Sequence, residues 1–368
     1  MQIADFTLER YFARWEFAVR HVLCASDVEP YRLPELLGLA DDDCRQRWES
    51  LSLGYTESQG LPALREEIAT LYDGVAADDV LTFAGAEEAV FLTMHATLGA
   101  GDHAVVAWPA YQSLYEVARS IGADVTLVPL NPVDWSLDVD AVAAAMRPTT
   151  RIIVVNSPHS PTGAQISSEH LARLASIAEL HGAWLFSDEV YRFLEHDAPP
   201  LPAAVSLSSR ALSLGVMSKA FGLAGLRIGW LAVRDRALRT KLASLKDYTT
   251  ICSAAPSEVL SLIALRARER VLARSRSIIE KNLSALDAFF GEHSDRLSWV
   301  RPRAGSVCFP KLAGQSIDDF AATLVQREGV LLLPASQFGY PGNHFRLGYG
   351  RADMPQALEG LARHLRTN

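Results

Sequence analysis

The sequence predicts an α/β fold, with a large domain built on a mainly parallel sheet in α/β/α layers and a smaller α+β domain. Three observations carry it. Short apolar, β-branched runs alternate with helical patterns through the middle of the chain, which is the pattern of βαβ units. Those runs are apolar throughout, as strands covered on both faces require. From about residue 255 the alternation gives way to a long Arg/Glu-rich helical stretch.

Taken in order, strands are predicted at "HAVVAW" (103–108), "DVTLVPL" (124–130), "RIIVVN" (151–156), "AWLFSD" (183–188), "RALSLGV" (210–216) and "GWLAV" (229–233). Between the first four lie "YQSLYEVARSIG", "DVDAVAAAMR" and "SSEHLARLASIAELHG", with apolar residues at i, i+3 or i+4 as in amphipathic helices. Beyond the long helix come "GSVCFPKL", "GVLLLPAS" and a final helix "DMPQALEGLARHLRT", for which Asp353 is the expected N-cap. The first fifty residues lack the βα rhythm and are expected to pack with this second unit. The division is then 1–49 as an arm with part of the small domain, 50–254 as the large domain and 255–368 as the small domain.

With 368 residues, 49% apolar and 21% charged, the composition is that of a globular enzyme. The net charge of −8 argues against nucleic-acid binding. The run "RARERVLARSR" (266–276) is cationic, but its spacing suits a helix with a solvated face. Four cysteines (24, 44, 252, 308) form no metal-ligand spacing and are expected as free thiols in a reducing compartment. The opening "MQIADFTLER" carries charges where a signal peptide needs an apolar core. No apolar run reaches the ~18 residues of a membrane span. A cytoplasmic protein without membrane partners is expected.

The polar motifs fall just after the strand runs, where α/β sheets collect ligands. The chain has five lysines, and Lys219 alone is flanked by serine, alanine, glycine and apolar residues. A desolvated lysine loses its preference for the charged form and becomes a nucleophile. The others, Lys241, Lys246, Lys281 and Lys311, read as solvated surface. "SDEVYRF" (187–193) sets Asp188 and Tyr191 three apart after one strand, and "NSPHSPTG" (156–163) follows another. "FAGAEEAV" (83–90) opens a helix with small residues, whose free amides suit a phosphate. Arg227 follows Lys219 by eight positions. Each piece alone has an ordinary structural explanation, as a turn residue, a loop glycine or a strand-end lysine. Together they meet the demands of pyridoxal 5′-phosphate: a carboxylate for its ring nitrogen, an amine for its aldehyde and cationic groups for its phosphate.

From about residue 50 onward the chain resembles fold-type I pyridoxal-phosphate enzymes of the class I/II aminotransferase superfamily, most specifically at "SDEVY", "SKAFGLAGLRIGW" and "SPTG". The resemblance implies an aminotransferase-like large domain and a homodimer. It makes Lys219 the lysine that forms the Schiff base, Asp188 the partner of the pyridine nitrogen and Tyr191 a donor to the ring oxygen O3′. Arg227 and the amides of Ala86 and Glu87 bind the phosphate, and Tyr111 stacks on the ring. Tyr55 reaches the cofactor of the partner subunit, and Arg346 clamps the substrate α-carboxylate, where a guanidinium makes a bidentate pair. Two positions depart from the pattern. Ser160 stands where the family has an asparagine that donates to O3′, with Asn156 or His159 as the other candidates for that role. Val216 replaces a phosphate-binding serine, for which Ser218 is the candidate substitute.

The arm "ARWEFAVRHVLCASDVEP" (13–30) resembles that of arginine-processing, capreomycidine synthase-like members. That implies Glu16 and Asp27 facing a substrate guanidinium; Glu16 is otherwise a surface helix residue. Three functions are open: transfer of an amino group from an L-amino acid to a 2-oxo acid; elimination, cyclisation or oxidation of arginine or a hydroxyarginine; and a non-catalytic ligand sensor on the same fold. The intact lysine and the lack of a DNA-binding segment disfavour the last.

Overall fold

The apolar runs become the strands of one sheet. The computed structural model describes residues 2–367. Its main sheet contains β1 (Val80–Phe83), β2 (His103–Trp108), β3 (Asp124–Pro129), β4 (Thr150–Asn156), β5 (Trp184–Asp188), β6 (Ala211–Val216) and β7 (Gly229–Val233). Their order is β1-β7-β6-β5-β4-β2-β3. The pairs among β2 to β6 are parallel, and β7 runs antiparallel to both β6 and β1. Between β6 and β7 the chain holds only a 3-10 turn, Ala224–Leu226, and no crossover helix, so β7 returns antiparallel. The four-residue β1 is not among the strands expected from the sequence. Helices Ser113–Ser120, Val139–Ala145 and Ser168–Leu180 occupy the three amphipathic segments.

Register sets the position of the site. Asn156, the last residue of β4, pairs with Asp188, the last of β5, and Asp188 pairs with Leu214 of β6. These strands therefore finish together, and the segments after them open on one edge of the sheet.

Beyond the sheet, the expected single helix is two, Ala255–Arg266 and Arg268–Glu292, parted at Ala267 (φ −95°, ψ 17°). Every residue from Glu258 to Leu265 is buried, whereas the second helix buries one stripe. The arginines of this region are engaged: Arg266 pairs with Asp41 and Asp43, Arg274 donates to the Glu29 carbonyl (2.8 Å) and Arg276 to that of Phe193 (3.0 Å). The final helix is Met354–Thr367, with Asp353 just before it. The Asp353 carboxylate lies 3.4 Å from His21 Nδ1.

The arm begins with α1 (Thr7–Trp15) and then pairs with the C-terminal third of the chain. Leu331 N donates to the His21 carbonyl (2.9 Å), Gly348 N to that of Leu23 (2.7 Å) and Glu29 N to that of Gly350 (2.9 Å). Among the described residues no helix is long and apolar enough to cross a membrane, and no cluster of His, Cys, Asp and Glu could hold a metal ion.

Candidate active site

The carboxyl ends of β4, β5 and β6 face a cavity of about 610 Å³, which the arm covers with Leu8, Glu9 and Phe12 of α1. Lys219 lines it three residues beyond β6. Its Nζ donates to Ser26 Oγ at 2.7 Å and lies 5.6 Å from the centre of the Tyr191 ring. Lys246, expected at the surface, is instead 1% exposed and donates to the Ser58 carbonyl. Its partner lies 188 residues away in the chain, which local sequence does not show.

At one end of the cavity Gly85 has φ +88°, and a Cβ there would meet Arg227 Nη2 at 2.5 Å. The helix Ala86–Thr97 that follows has no side-chain cap. Its first amides, Ala86 and Glu87 included, thus lack intrahelical partners and carry the positive end of the helix dipole. Arg227 adopts a left-handed φ of +52°, and its Nη1 donates to the Ala224 carbonyl at 3.1 Å. Free amides under a guanidinium, with no side chain on the glycine between them, form a cup suited to a phosphate. The Glu87 carboxyl opens to the same cavity; desolvation there, helped by Glu9 and opposed by Ser113, Arg227 and Lys219, pushes it up to about 7.

Asp188 is 8% exposed, and its Oδ1 accepts from Val190 N at 3.2 Å. Burial pushes it up to about 7 against the pull of that amide and of Lys219. A buried carboxyl with a single backbone donor is suited to a cationic N–H partner. Asn156 ties this floor together, with Nδ2 donating to the Asp188 carbonyl (2.9 Å) and Oδ1 accepting from Ser160 N (2.7 Å). Its amide is therefore in use at both ends. His159 is turned away: Nδ1 meets Thr162 Oγ1 and Nε2 the Pro109 carbonyl, both at 2.8 Å, and burial lowers it to about 4. Ser160, Tyr191, Val216 and Ser218 all line the cavity.

Arg346 lines the same cavity, is 2% exposed, and its Nε donates to the Cys24 carbonyl at 3.1 Å. Among the described residues its two terminal nitrogens have no hydrogen-bond partner. Tyr111 packs on Phe6 with ring centres 4.9 Å apart, and its hydroxyl donates to Glu9. Glu16 lines the cavity without a hydrogen bond among the described residues; burial raises its carboxyl, with Arg351 opposing. Asp27 lines it too, but both its oxygens are held by Arg351, at 3.0 and 2.9 Å. Tyr55 alone of the expected residues lies elsewhere, 91% exposed.

A family model, aminotransferase class I and II, matches residues 48–363. The chain belongs to this family. It is 29% identical to a capreomycidine synthase of Streptomyces vinaceus, over all of this chain and 94% of that protein. It is 30% identical to an arginine–pyruvate transaminase of Pseudomonas aeruginosa, over 84% of this chain and 81% of that one. Among solved structures, a PLP-dependent aminotransferase from Streptococcus suis superposes with a TM-score of 0.94 at 30% identity, covering 100% of this chain and 99% of the other. A PLP-dependent cyclase superposes with a TM-score of 0.91 at 30% identity, covering 100% and 98%. The chain is thus an aminotransferase-family enzyme with the fold of pyridoxal-phosphate enzymes. Its residues fit that cofactor, since the uncapped helix with Arg227 suits the phosphate and the desolvated Asp188 suits the ring nitrogen.

The fold therefore brings together, from seven separate segments, all the expected site residues except Tyr55. Glu9, Ser26, Ser113 and Arg351 also line the cavity and were not expected. A sequence signal existed for Glu9: with Phe12 and Glu16 it recurs at i, i+3 and i+7 along one helix face.

Proposed function

We propose that this enzyme holds pyridoxal 5′-phosphate on Lys219 and moves the amino group of an L-amino acid to a 2-oxo acid. Bound there, the cofactor supplies an electron sink for charge developing at the substrate Cα. The open Arg346 guanidinium, lining one cavity with Lys219, is the observation that carries the reading. Arg346 takes the α-carboxylate as a bidentate pair and so orients the Cα–H bond. Lys219 Nζ, once released, moves the proton at Cα. Asp188 holds a proton on the ring nitrogen. Tyr191 and Ser160 face the ring oxygen, and Tyr111 covers the ring. Arg227, Ser218 and the amides of Ala86 and Glu87 bind the phosphate, while α1 excludes water from above. Glu16 and Asp27 lie toward the substrate side chain.

A second reading, elimination, cyclisation or oxidation of arginine or a hydroxyarginine, is favoured by the likeness to a capreomycidine synthase, which extends through the arm. Incubation with a panel of L-amino acids, with and without 2-oxo acids, separates the two. Acceptor-dependent formation of a new amino acid supports transfer; acceptor-independent loss of water, ring closure or peroxide formation supports the alternative.

We further propose a homodimer. Leu53 and Tyr55 (84% and 91% exposed) and Tyr248 and Ile251 (90% and 49%) belong to segments joined by the Thr56 Oγ1 to Ser253 carbonyl bond of 3.0 Å. Thr250 of the same edge donates to Glu88, next to the phosphate cup, at 2.8 Å. Such an apolar edge beside the site suits a second copy that lends Tyr55. Four unpaired cysteines support a cytoplasmic setting, and the divisions at 50 and 255 are offered as the domain boundaries.

A further inference from the structure

Lys219 Nζ, 2.7 Å from Ser26 Oγ, has no other hydrogen-bond partner among the described residues. Ser26 belongs to the arm, 193 residues from the lysine in the chain, and lines the same cavity. Its backbone is held on every side. The Ser26 carbonyl accepts from Ser306 Oγ at 2.8 Å, in a residue 0% exposed. Before it, Gly348 N donates to the Leu23 carbonyl, and a Cβ on Gly348 would collide with the carbonyl of Ala25. After it, Glu29 N donates to the Gly350 carbonyl, and a Cβ on Gly350 would collide with the carbonyl of Asp27. Arg351 grips the Asp27 carboxylate through two nitrogens. Residues 23–29 are thus pinned against the C-terminal part of the chain, and the Ser26 hydroxyl is presented to Lys219 from a fixed position.

Chemistry shows which form of the lysine uses this contact. Under the proposed function, on which this step rests, Nζ is bonded to the aldehyde carbon of the cofactor until an incoming amine takes that carbon and leaves its two hydrogens on Nζ. An N–H directed at Ser26 therefore belongs to the released amine. A hydroxyl suits that amine better than a carboxylate. A carboxylate in contact with Nζ would favour the ammonium, which has no lone pair. A neutral amine that donates to a hydroxyl keeps its lone pair for the proton at the substrate Cα. The carboxyls that feel Lys219, Asp188 and Glu87, make no hydrogen bond to it, and burial raises each to about 7.

We infer that Ser26 receives the Lys219 amine when it is released from the cofactor, and is a positioning residue that holds Nζ for proton transfer at the substrate Cα.

The test compares the holoenzymes of wild type, Ser26→Ala and Ser26→Thr, with cofactor content and melting temperature establishing that each is loaded and folded. Methylamine, which displaces Lys219 whatever the side-chain specificity, is titrated in, and borohydride then fixes the cofactor on Lys219 or on the free amine. Ser26→Ala should need ~3- to 10-fold more methylamine for half displacement, the range for one net hydrogen bond, and Ser26→Thr should stay close to wild type. Exchange of the Cα hydrogen of the accepted amino acid in deuterium oxide, read by NMR, should slow in Ser26→Ala by a similar factor at unchanged KM. An unchanged methylamine midpoint in Ser26→Ala, or a shift that Ser26→Thr shows equally, overturns the inference. A midpoint that follows the hydroxyl in a protein transferring no amino group supports Ser26 and overturns the transfer reaction. Full transfer with Ser26→Ala indifferent does the reverse, and a borohydride label on another lysine overturns both.

Discussion

Replacing Gly85 by alanine tests the phosphate cup, because the structure separates its two effects. At φ +88° any L-residue is strained, and the new Cβ would lie 2.5 Å from Arg227 Nη2 and 3.1 Å from its Cζ. The strain costs ~1–2 kcal/mol of stability. The collision is with the far end of a flexible side chain, so the guanidinium moves aside rather than the fold failing. What is lost is a charge-assisted contact to the phosphate, worth ~1.5–3 kcal/mol, or about 10- to 150-fold in cofactor affinity. Gly74→Ala is the control: φ is +72° there, and nothing lies within 4 Å of the added Cβ. Both variants should melt earlier than wild type by similar amounts. Only Gly85→Ala should bind pyridoxal 5′-phosphate more weakly when the cofactor-free protein is titrated and followed by absorbance. Equal cofactor affinities in the two alanine variants would refute the assignment of this turn and Arg227 to the phosphate.

Three further outcomes are expected. Asp188 sits at about 7 in the folded chain against 3.8 unperturbed, so folding takes up a proton between those values and stability falls as pH rises through that window. Cofactor-free Asp188→Asn should therefore unfold at higher urea than wild type at pH 8, by on the order of a few kcal/mol, with the gap closing toward pH 4; a gap independent of pH contradicts this. Ser160→Asn adds a donor toward the ring oxygen, which favours the deprotonated state, so the bound cofactor's absorption should titrate ~1 pH unit lower; an unchanged or higher midpoint means Ser160 does not face that oxygen. Mixing Lys219→Ala and Tyr55→Phe subunits should restore one intact site per hybrid dimer, whereas a fully active monomer by light scattering would remove the shared-site proposal.

The strands from β2 to β7 are legible because each is a run of β-branched and apolar residues covered on both faces. β1 is not: "VLTF" is four residues beside a turn, and it is a strand only because β7 returns antiparallel to pair with it. The break at Ala267 has no glycine or proline to announce it. In the site, Lys219, Asp188 and Arg227 stand out locally because each sits among residues of unlike character. Arg351 could not be read, since its partner Asp27 is 324 residues away. Lys246 looked like surface for the same reason, its carbonyl partner Ser58 being 188 residues distant. Glu9 shares a helix face with Phe12 and Glu16, but only the packed fold shows that this face meets the cavity.

The central claim is that Lys219 carries the cofactor. Borohydride reduction of the reconstituted protein, followed by peptide mapping, addresses it most directly. The reduced pyridoxyl group should appear on Lys219, in the peptide spanning 211–227 that arginine-specific cleavage releases, at close to one per chain. A label on Lys246 or any other lysine, or no label after reconstitution, would contradict the account.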